Sequence, residues 1–114
     1  MESILTSIKK MIGPTAMDTH FDPDIIMHIN TAFDDLRQLG VGPVEGFAIE
    51  DESALWTDFI TDMKKFQAVK SYIYLRVKLL FDSSTLSSAV IQSYERQIDR
   101  LEWRLNVSAE TSKS

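Results

Sequence analysis

Apolar residues recur at helical spacing in four long stretches of the chain, and polar or glycine- and proline-rich breaks separate these stretches. The spacing predicts helices over about residues 3–12, 23–38, 64–81 and 86–105, and a brief helix after Ser53. The 64–81 helix is apolar around most of its circumference, which is typical of a central helix. The 86–105 helix carries a heptad-like apolar seam formed by Ile91, Tyr94, Ile98, Leu101 and Leu105.

The breaks between these stretches also predict local structure. Asp22 is placed to cap the helix at 23–38, and Pro23 suits its first position because a proline lacks the N–H that is unpaired there. The Gly-Val-Gly-Pro sequence at residues 40–43 predicts a turn. The alternation of residues 46–50 allows a short strand, or an extended arm able to reach a neighbouring subunit.

Together these elements predict one all-α domain. We expect a small bundle of about four to five helices with a long central helix, a long C-terminal helix and a short extended arm or β segment near residues 46–50. The domain covers residues 1–106. Residues 107–114 are small and polar and are predicted to form a flexible C-terminal tail.

The composition fits a single globular domain, with 114 residues, 44% of them apolar, and no cysteine. Without cysteine there is no disulfide framework, no thiolate metal site and no thiol nucleophile. No apolar run approaches the ~18 residues of a membrane-spanning helix, and the first residues lack the basic start of a signal peptide. We therefore expect a cytosolic protein without membrane contact.

The net charge of −5 combines two regions of opposite sign. Residues 15–62 contain eleven acidic residues and one base, Arg37, whereas residues 64–81 contain five bases and no acid. Either the two regions neutralise each other within the monomer, or the acidic face of one copy meets the basic face of the next. The acidic balance also argues against non-specific DNA wrapping, since Lys and Arg contacts to phosphates supply most of that affinity.

Few residues are candidates for catalysis or metal binding. Two histidines and two carboxylates are close enough in sequence to suggest a metal site, namely His20, Asp22, Asp24 and His28. Simpler roles account for them, because the two acids suit a helix start and His28 is placed to pair with Asp24. The acidic groups at residues 34–35 and 50–52 have no nucleophile, phosphate loop or His-Ser-Asp set beside them. We expect no catalytic site, no metal and no cofactor.

Two long runs and several shorter ones resemble a known family. Residues 68–82 read AVKSYIYLRVKLLFD and residues 97–106 read QIDRLEWRLN; the shorter runs are DIIMHIN at 24–30, QLGVGP at 38–43, Gly46-Phe47 and WTDFI at 56–60. In this order, over about residues 3–108, the sequence resembles the small head–tail connector proteins of tailed bacteriophages. One departure is Ser83-Ser84, where that family is expected to have a proline-rich turn, and it leaves the geometry of that turn open.

The resemblance implies a mainly α-helical structural adaptor without enzymatic activity. Such adaptors form a ring, about twelvefold, below the portal after DNA packaging. Their partners are other copies of themselves, the portal protein and head–tail stopper or tail proteins, and double-stranded DNA passes through the lumen without sequence-specific binding. The implied location is the neck of the virion, with assembly in the host cytoplasm.

The segregated charge suits head-to-tail contacts, which close into rings when the rotation between copies permits. We hypothesise that acidic positions of one subunit face basic positions of the next subunit or of the portal. The predicted interface residues are Asp34, Asp35, Glu50, Asp51, Glu52, Lys70, Lys78, Arg96, Arg100 and Arg104.

Two alternative functions stay open at the level of sequence. A stopper or tail-completion protein of the same phage neck is poorly separated from a connector by sequence pattern. A small helical DNA- or protein-binding regulator could use the basic helix at residues 64–81. The regulator ranks lower because the Lys and Arg residues of that helix are interleaved with core-type residues and leave no broad basic stripe.

Overall fold

The computed structural model describes residues 2–113, apart from the side chains of Met63 and of residues 110–113. Its five α-helices are α1 (Ile4–Ile12), α2 (Asp22–Gln38), α3 (Trp56–Phe59), α4 (Met63–Phe81) and α5 (Ser88–Lys113). Two 3-10 turns, Pro14–Met17 and Thr19–Phe21, connect α1 to α2. The described residues form no strand, and an isolated β-bridge joins Ser3 to Leu55. The predicted all-α bundle is confirmed.

The first helix begins at a capping serine and ends at a glycine. The hydroxyl of Ser3 accepts the backbone N–H of Thr6 at 3.2 Å, and Gly13 follows the last turn with a φ of +123°. Glycine adopts this φ without the steric penalty that a side chain would add, so the helix ends there. The apolar side chains that α1 buries in the core are Ile4, Leu5, Ile8 and Ile12.

The second helix starts one residue earlier than predicted, and the capping role predicted for Asp22 was wrong. Asp22 is the first residue of α2, and no described side chain caps this helix. The Asp22 carboxylate instead forms an ion pair with Lys9 of α1, with 2.7 Å between Oδ1 and Nζ. Lys9 is only 8% exposed. Because a buried ammonium group needs a counter-charge, this pair ties α1 to the start of α2.

Residues 40–55 connect α2 to α3 without forming a strand, so the β alternative for residues 46–50 was wrong. The ring of Phe47 packs against the rings of Phe33 and Phe59, with centroid distances of 5.0 and 5.2 Å. Such aromatic contacts hold the segment on the hydrophobic core of its own chain. The segment is therefore not a free arm.

The fourth helix is central, as its apolar circumference predicted. It packs against α1, α2 and α5, so it separates α5 from much of the rest of the bundle. Its fully buried side chains are Val69, Tyr72, Ile73 and Val77. No helix among the described residues combines the length and the hydropathy that crossing a bilayer requires.

The fifth helix begins two residues later than predicted and continues to Lys113, well past its predicted end near residue 105. The predicted apolar seam is confirmed by the burial of Ile98 and Leu105, and Ala109, which is 4% exposed, prolongs it by one turn. Helices in proteins are stabilised mainly by packing of an apolar face, which is why α5 continues past residue 105. The flexibility of residues 107–114 stays a prediction, and residue 114 lies outside the described residues.

Candidate subunit interface

Glu50, Asp51 and Glu52 form an exposed acidic turn between α2 and α3, called the acidic turn below. None of the three forms an ion pair with a described residue. The Asp51 carboxylate accepts the hydroxyl and the backbone N–H of Ser53, and these hydrogen bonds hold the pKa of Asp51 below its ordinary value. Asp51 therefore keeps its negative charge at neutral pH.

The acidic turn is anchored on both sides. Before it, the side-chain amide of Asn30 in α2 donates to the carbonyl of Ile49 at 3.0 Å and accepts the N–H of Ile49 at 2.8 Å. After it, the carbonyl of Ala54 accepts the N–H of Ile4 at the start of α1, also at 3.0 Å. Helices α1 and α2 therefore fix the position of the turn.

The other two acidic candidates are paired within the chain. Asp34 accepts hydrogen bonds from Nε and Nη2 of Arg37, at 3.2 and 2.9 Å. Asp35 is partly buried and forms an ion pair with Arg76 of α4. The monomer thus neutralises part of its acidic region internally, which is the first of the two arrangements that the charge pattern left open.

Arg76 joins three helices in a small polar cluster. Its guanidinium contacts Asp35 of α2 and lies 3.8 Å from the Glu102 carboxylate of α5. The hydroxyl of Tyr72, one turn earlier on α4, donates to the same carboxylate at 2.7 Å. Burial, together with this hydrogen bond, raises the pKa of Tyr72 well above its ordinary value. The cluster fastens α5 to α4 and α2.

We expect the stability of the protein to fall at alkaline pH, partly through Tyr72. The pKa of Tyr72 is raised in the folded protein, so above about pH 10 the unfolded chain releases this proton first, and ionisation favours unfolding. From about pH 8 to about pH 11, this group alone should lower the free energy of unfolding by about 1 kcal/mol. Urea denaturation of the wild type and of Tyr72→Phe at both pH values measures the effect. The variant should lose less stability than the wild type, and equal losses would contradict the raised pKa.

Two basic candidates on α4 also have partners in the monomer. Lys78 forms an ion pair with Asp82, and its Nζ lies 3.5 Å from the carbonyl oxygen of Ile12. The hydrogen bond with Asp82 raises the pKa of Lys78. Lys70 lies 3.9 Å from Glu2. Both lysines are partly buried, so they are less available to another molecule than the arginines of α5.

The remaining basic candidates, Arg96, Arg100 and Arg104, are exposed along one side of α5. None of them forms an ion pair with a described residue. Arg100 and Arg104 line a groove between α5 and α4, and Lys64 and Lys65 line its other end. We call this surface the basic groove. The fold therefore brings together basic residues that are far apart in the sequence.

The acidic turn and the basic groove belong to different parts of the bundle. Contacts with α1 and α2 hold the acidic turn, whereas α5 and the first half of α4 form the basic groove. Helix α4 packs against α5 and against both of these anchoring helices. No ion pair among the described residues joins the acidic turn to the basic groove.

The candidate metal residues have other contacts. Asp22 is paired with Lys9, and the ring of His20 packs edge-on against that of Phe21 at 5.6 Å. Among the side chains that the structure describes, no group of three His, Asp or Glu residues is arranged to hold a metal ion. The pairing expected between Asp24 and His28 does not occur among the described ion pairs.

Sequence reasoning missed three contributors to these surfaces. Lys64 and Lys65 lie in the basic groove, and the available signal was their place among the five bases of residues 64–81. Asn30 positions the acidic turn, and its signal was a single amide directly after the buried Ile29. In both cases the partner is remote in sequence, so local pattern did not reveal the contact.

Nearly the whole chain matches the model of a known protein family. The family model for the phage connector protein matches residues 4–112. No curated protein and no solved structure matches the chain. Because the family match runs from the start of α1 almost to the end of α5, the chain belongs to the phage connector protein family, which makes it a structural component of a phage virion.

Proposed function

We propose that this connector assembles as a ring of identical subunits below the portal and joins the DNA-filled head to stopper or tail proteins. The role is mechanical and not enzymatic, and double-stranded DNA passes through the lumen of the ring without sequence-specific binding. Membership of the phage connector family supports the head–tail role. The two oppositely charged surfaces support assembly into a ring.

The separation of the acidic turn from the basic groove is the observation that carries this proposal. If the two surfaces adjoined, their charges would be neutralised inside the monomer. No ion pair among the described residues joins the two surfaces, so a second molecule is the source of charge that could neutralise them. Contacts between two unlike surfaces are heterologous, and they form a closed ring when the rotation from one copy to the next permits.

Six of the ten predicted interface residues fit this arrangement best. They are exposed and form no ion pair with any described residue: Glu50, Asp51, Glu52, Arg96, Arg100 and Arg104. The other four already have partners in the monomer, and we assign them a smaller part in assembly: Asp34, Asp35, Lys70 and Lys78.

The charge balance supports free passage of DNA. The chain carries a net charge of −5, so a ring of many copies repels phosphates as a whole. A wall rich in exposed Lys and Arg would instead bind the duplex in a salt-dependent way. In the proposed ring, the acidic turns of neighbouring copies neutralise the exposed arginines, which lowers the affinity of the wall for DNA.

Co-purification with the portal protein of the same phage tests the proposed function. We expect the connector to bind the portal and to add a ring at its tail-facing end in electron micrographs, whereas portal particles alone lack this ring. Binding only to a portal that already carries another adaptor would assign the protein to the stopper position. A monomer that does not bind the portal but binds duplex DNA tightly at low salt would support the regulator instead.

A further inference from the structure

The basic groove is a concave surface between the first half of α4 and the exposed edge of α5. Two adjoining concavities of about 230 and 180 Å³ form it, and Arg104 lines both. Its floor is partly apolar, and no acidic side chain that the structure describes lines either concavity. The positively charged residues that line the groove are Lys64, Lys65, Arg100 and Arg104.

Three cations of the groove have no described carboxylate to neutralise them. Lys64, Arg100 and Arg104 are exposed, and none of the three forms an ion pair with a described carboxylate. The other flank of α5 differs, because Glu102 there lies beside Arg76. Arginine side chains around a partly apolar depression are enriched at protein–protein interfaces. The basic groove therefore has the composition of a docking surface for a negatively charged partner.

The acidic turn of the same chain has the complementary charge and a fixed shape. Its three carboxylates are consecutive and exposed, and hydrogen bonds to Asn30 and Ile4 anchor the backbone on both sides. A segment that is already ordered loses little conformational entropy on binding, which favours docking. The turn is anchored by α1 and α2, and no ion pair among the described residues joins it to the groove of its own chain.

We propose that the basic groove receives the acidic turn of a second copy of this chain. The proposal rests on the ring proposed above and specifies the contact that joins neighbouring subunits. The carboxylates of residues 50–52 then face Lys64, Arg100 and Arg104, and each guanidinium group offers a pair of N–H donors that matches a carboxylate. Lys64 enters the interface although it was not among the interface residues predicted from the sequence.

A DNA phosphate is the main competing anion for the groove, and the charge distribution favours the carboxylates. The whole chain is net negative, with a charge of −5, so duplex DNA approaching the groove is repelled by the rest of the surface. A second copy brings its acidic turn and leaves the arginines neutralised. The same contact also satisfies the unpaired acids of the turn, which DNA binding does not.

Charge reversal on each side, alone and in combination, tests the contact. One variant is Arg100→Glu with Arg104→Glu, and the other is Glu50→Lys with Glu52→Lys. We expect each variant alone to weaken ring formation on the portal at least about tenfold, because like charges then face each other across the interface. A protein with all four changes should recover to within about threefold of the wild type, since the pairs are restored with exchanged signs. Sedimentation of portal complexes at several salt concentrations measures the copies bound per portal.

A matched control is available on the opposite flank of α5. Glu95→Lys with Asp99→Lys changes the net charge as much as the reversal in the acidic turn, but at residues outside the proposed contact. We expect this control to assemble like the wild type. Thermal melting of each variant checks the fold, which should be retained because the altered residues are all exposed.

The outcomes separate this contact from the connector function itself. If the wild type forms no ring on the portal, the proposed function is wrong. If the wild type forms a ring and tolerates both reversals, or if the combined variant does not recover, the connector role stands and the groove contact is wrong. If Arg100→Glu with Arg104→Glu leaves assembly unchanged but lowers the affinity for duplex DNA, the groove is a phosphate site and the proposed contact is also wrong.

Discussion

Replacing Trp56 with alanine is expected to lower the free energy of unfolding by about 3–5 kcal/mol, because it removes a large side chain from a closely packed core. Trp56 has no exposed surface, and its ring packs edge-on against Phe66 with 5.6 Å between centroids. Its indole N–H also donates to the hydroxyl of Ser7 at 2.7 Å, which links α3 to α1. Urea denaturation followed by circular dichroism measures the loss.

Two further variants separate the causes of this loss. Ser7→Ala keeps the indole but removes its acceptor, so we expect a smaller cost of about 1–3 kcal/mol from the unpaired N–H. Trp103→Ala is the matched control, since Trp103 is 69% exposed and should contribute within about 0.5 kcal/mol. If Trp56→Ala costs no more than Trp103→Ala, then Trp56 does not occupy the core.

Replacing Gly42 with alanine is expected to lower the free energy of unfolding by about 2–4 kcal/mol, from backbone strain and overpacking together. Gly42 has a φ of +89°, which L-residues with a side chain rarely adopt. A Cβ atom at this position would overlap Cε1 of Phe59, and Phe59 is packed between other aromatic rings. A change in the backbone conformation or a shift of the Phe59 ring would each cost free energy.

Gly46→Ala is the matched control for this prediction. Gly46 has nearly the same φ, +93°, but the nearest atom to an added Cβ is Cδ of the Arg37 side chain at 3.4 Å. The control therefore has the backbone strain of a positive φ without a steric clash with Phe59. We expect it to lower the free energy of unfolding by only about 1–2 kcal/mol. Chemical denaturation of both variants gives the difference between their losses in free energy of unfolding, and this difference measures the cost of the contact with Phe59. Equal losses would contradict that contact.

The helices were the most predictable part of the fold, and the errors in predicting them lie at the helix ends. Each long helix presents an apolar stripe to the core, and that stripe is readable from spacing alone. The cap predicted at Asp22 was wrong because the carboxylate pairs with Lys9 of another helix. The end of α5 was placed too early because Ala109, one turn beyond Leu105, is buried. Both errors arise from tertiary contacts.

The candidate interface was predictable in its charge but not in its geometry. The positions of the charged residues along the chain define an acidic region and a basic one. These positions do not show that Asp35 is paired with Arg76 in the monomer, or that Lys64 lies in the same groove as Arg104. These pairs join residues that are distant in sequence, and only the packing of α2 and α5 on α4 decides whether they meet.

The sequence by itself determined the helical class, the central position of α4 and the presence of two oppositely charged regions. These properties depend on local spacing and composition, because helical hydrogen bonds join residues four apart and charge is a property of each residue. The tertiary structure decided which charges are neutralised within the monomer and which stay exposed. That outcome depends on the distances between side chains of different helices, and those distances are set by how the apolar faces of the helices pack together.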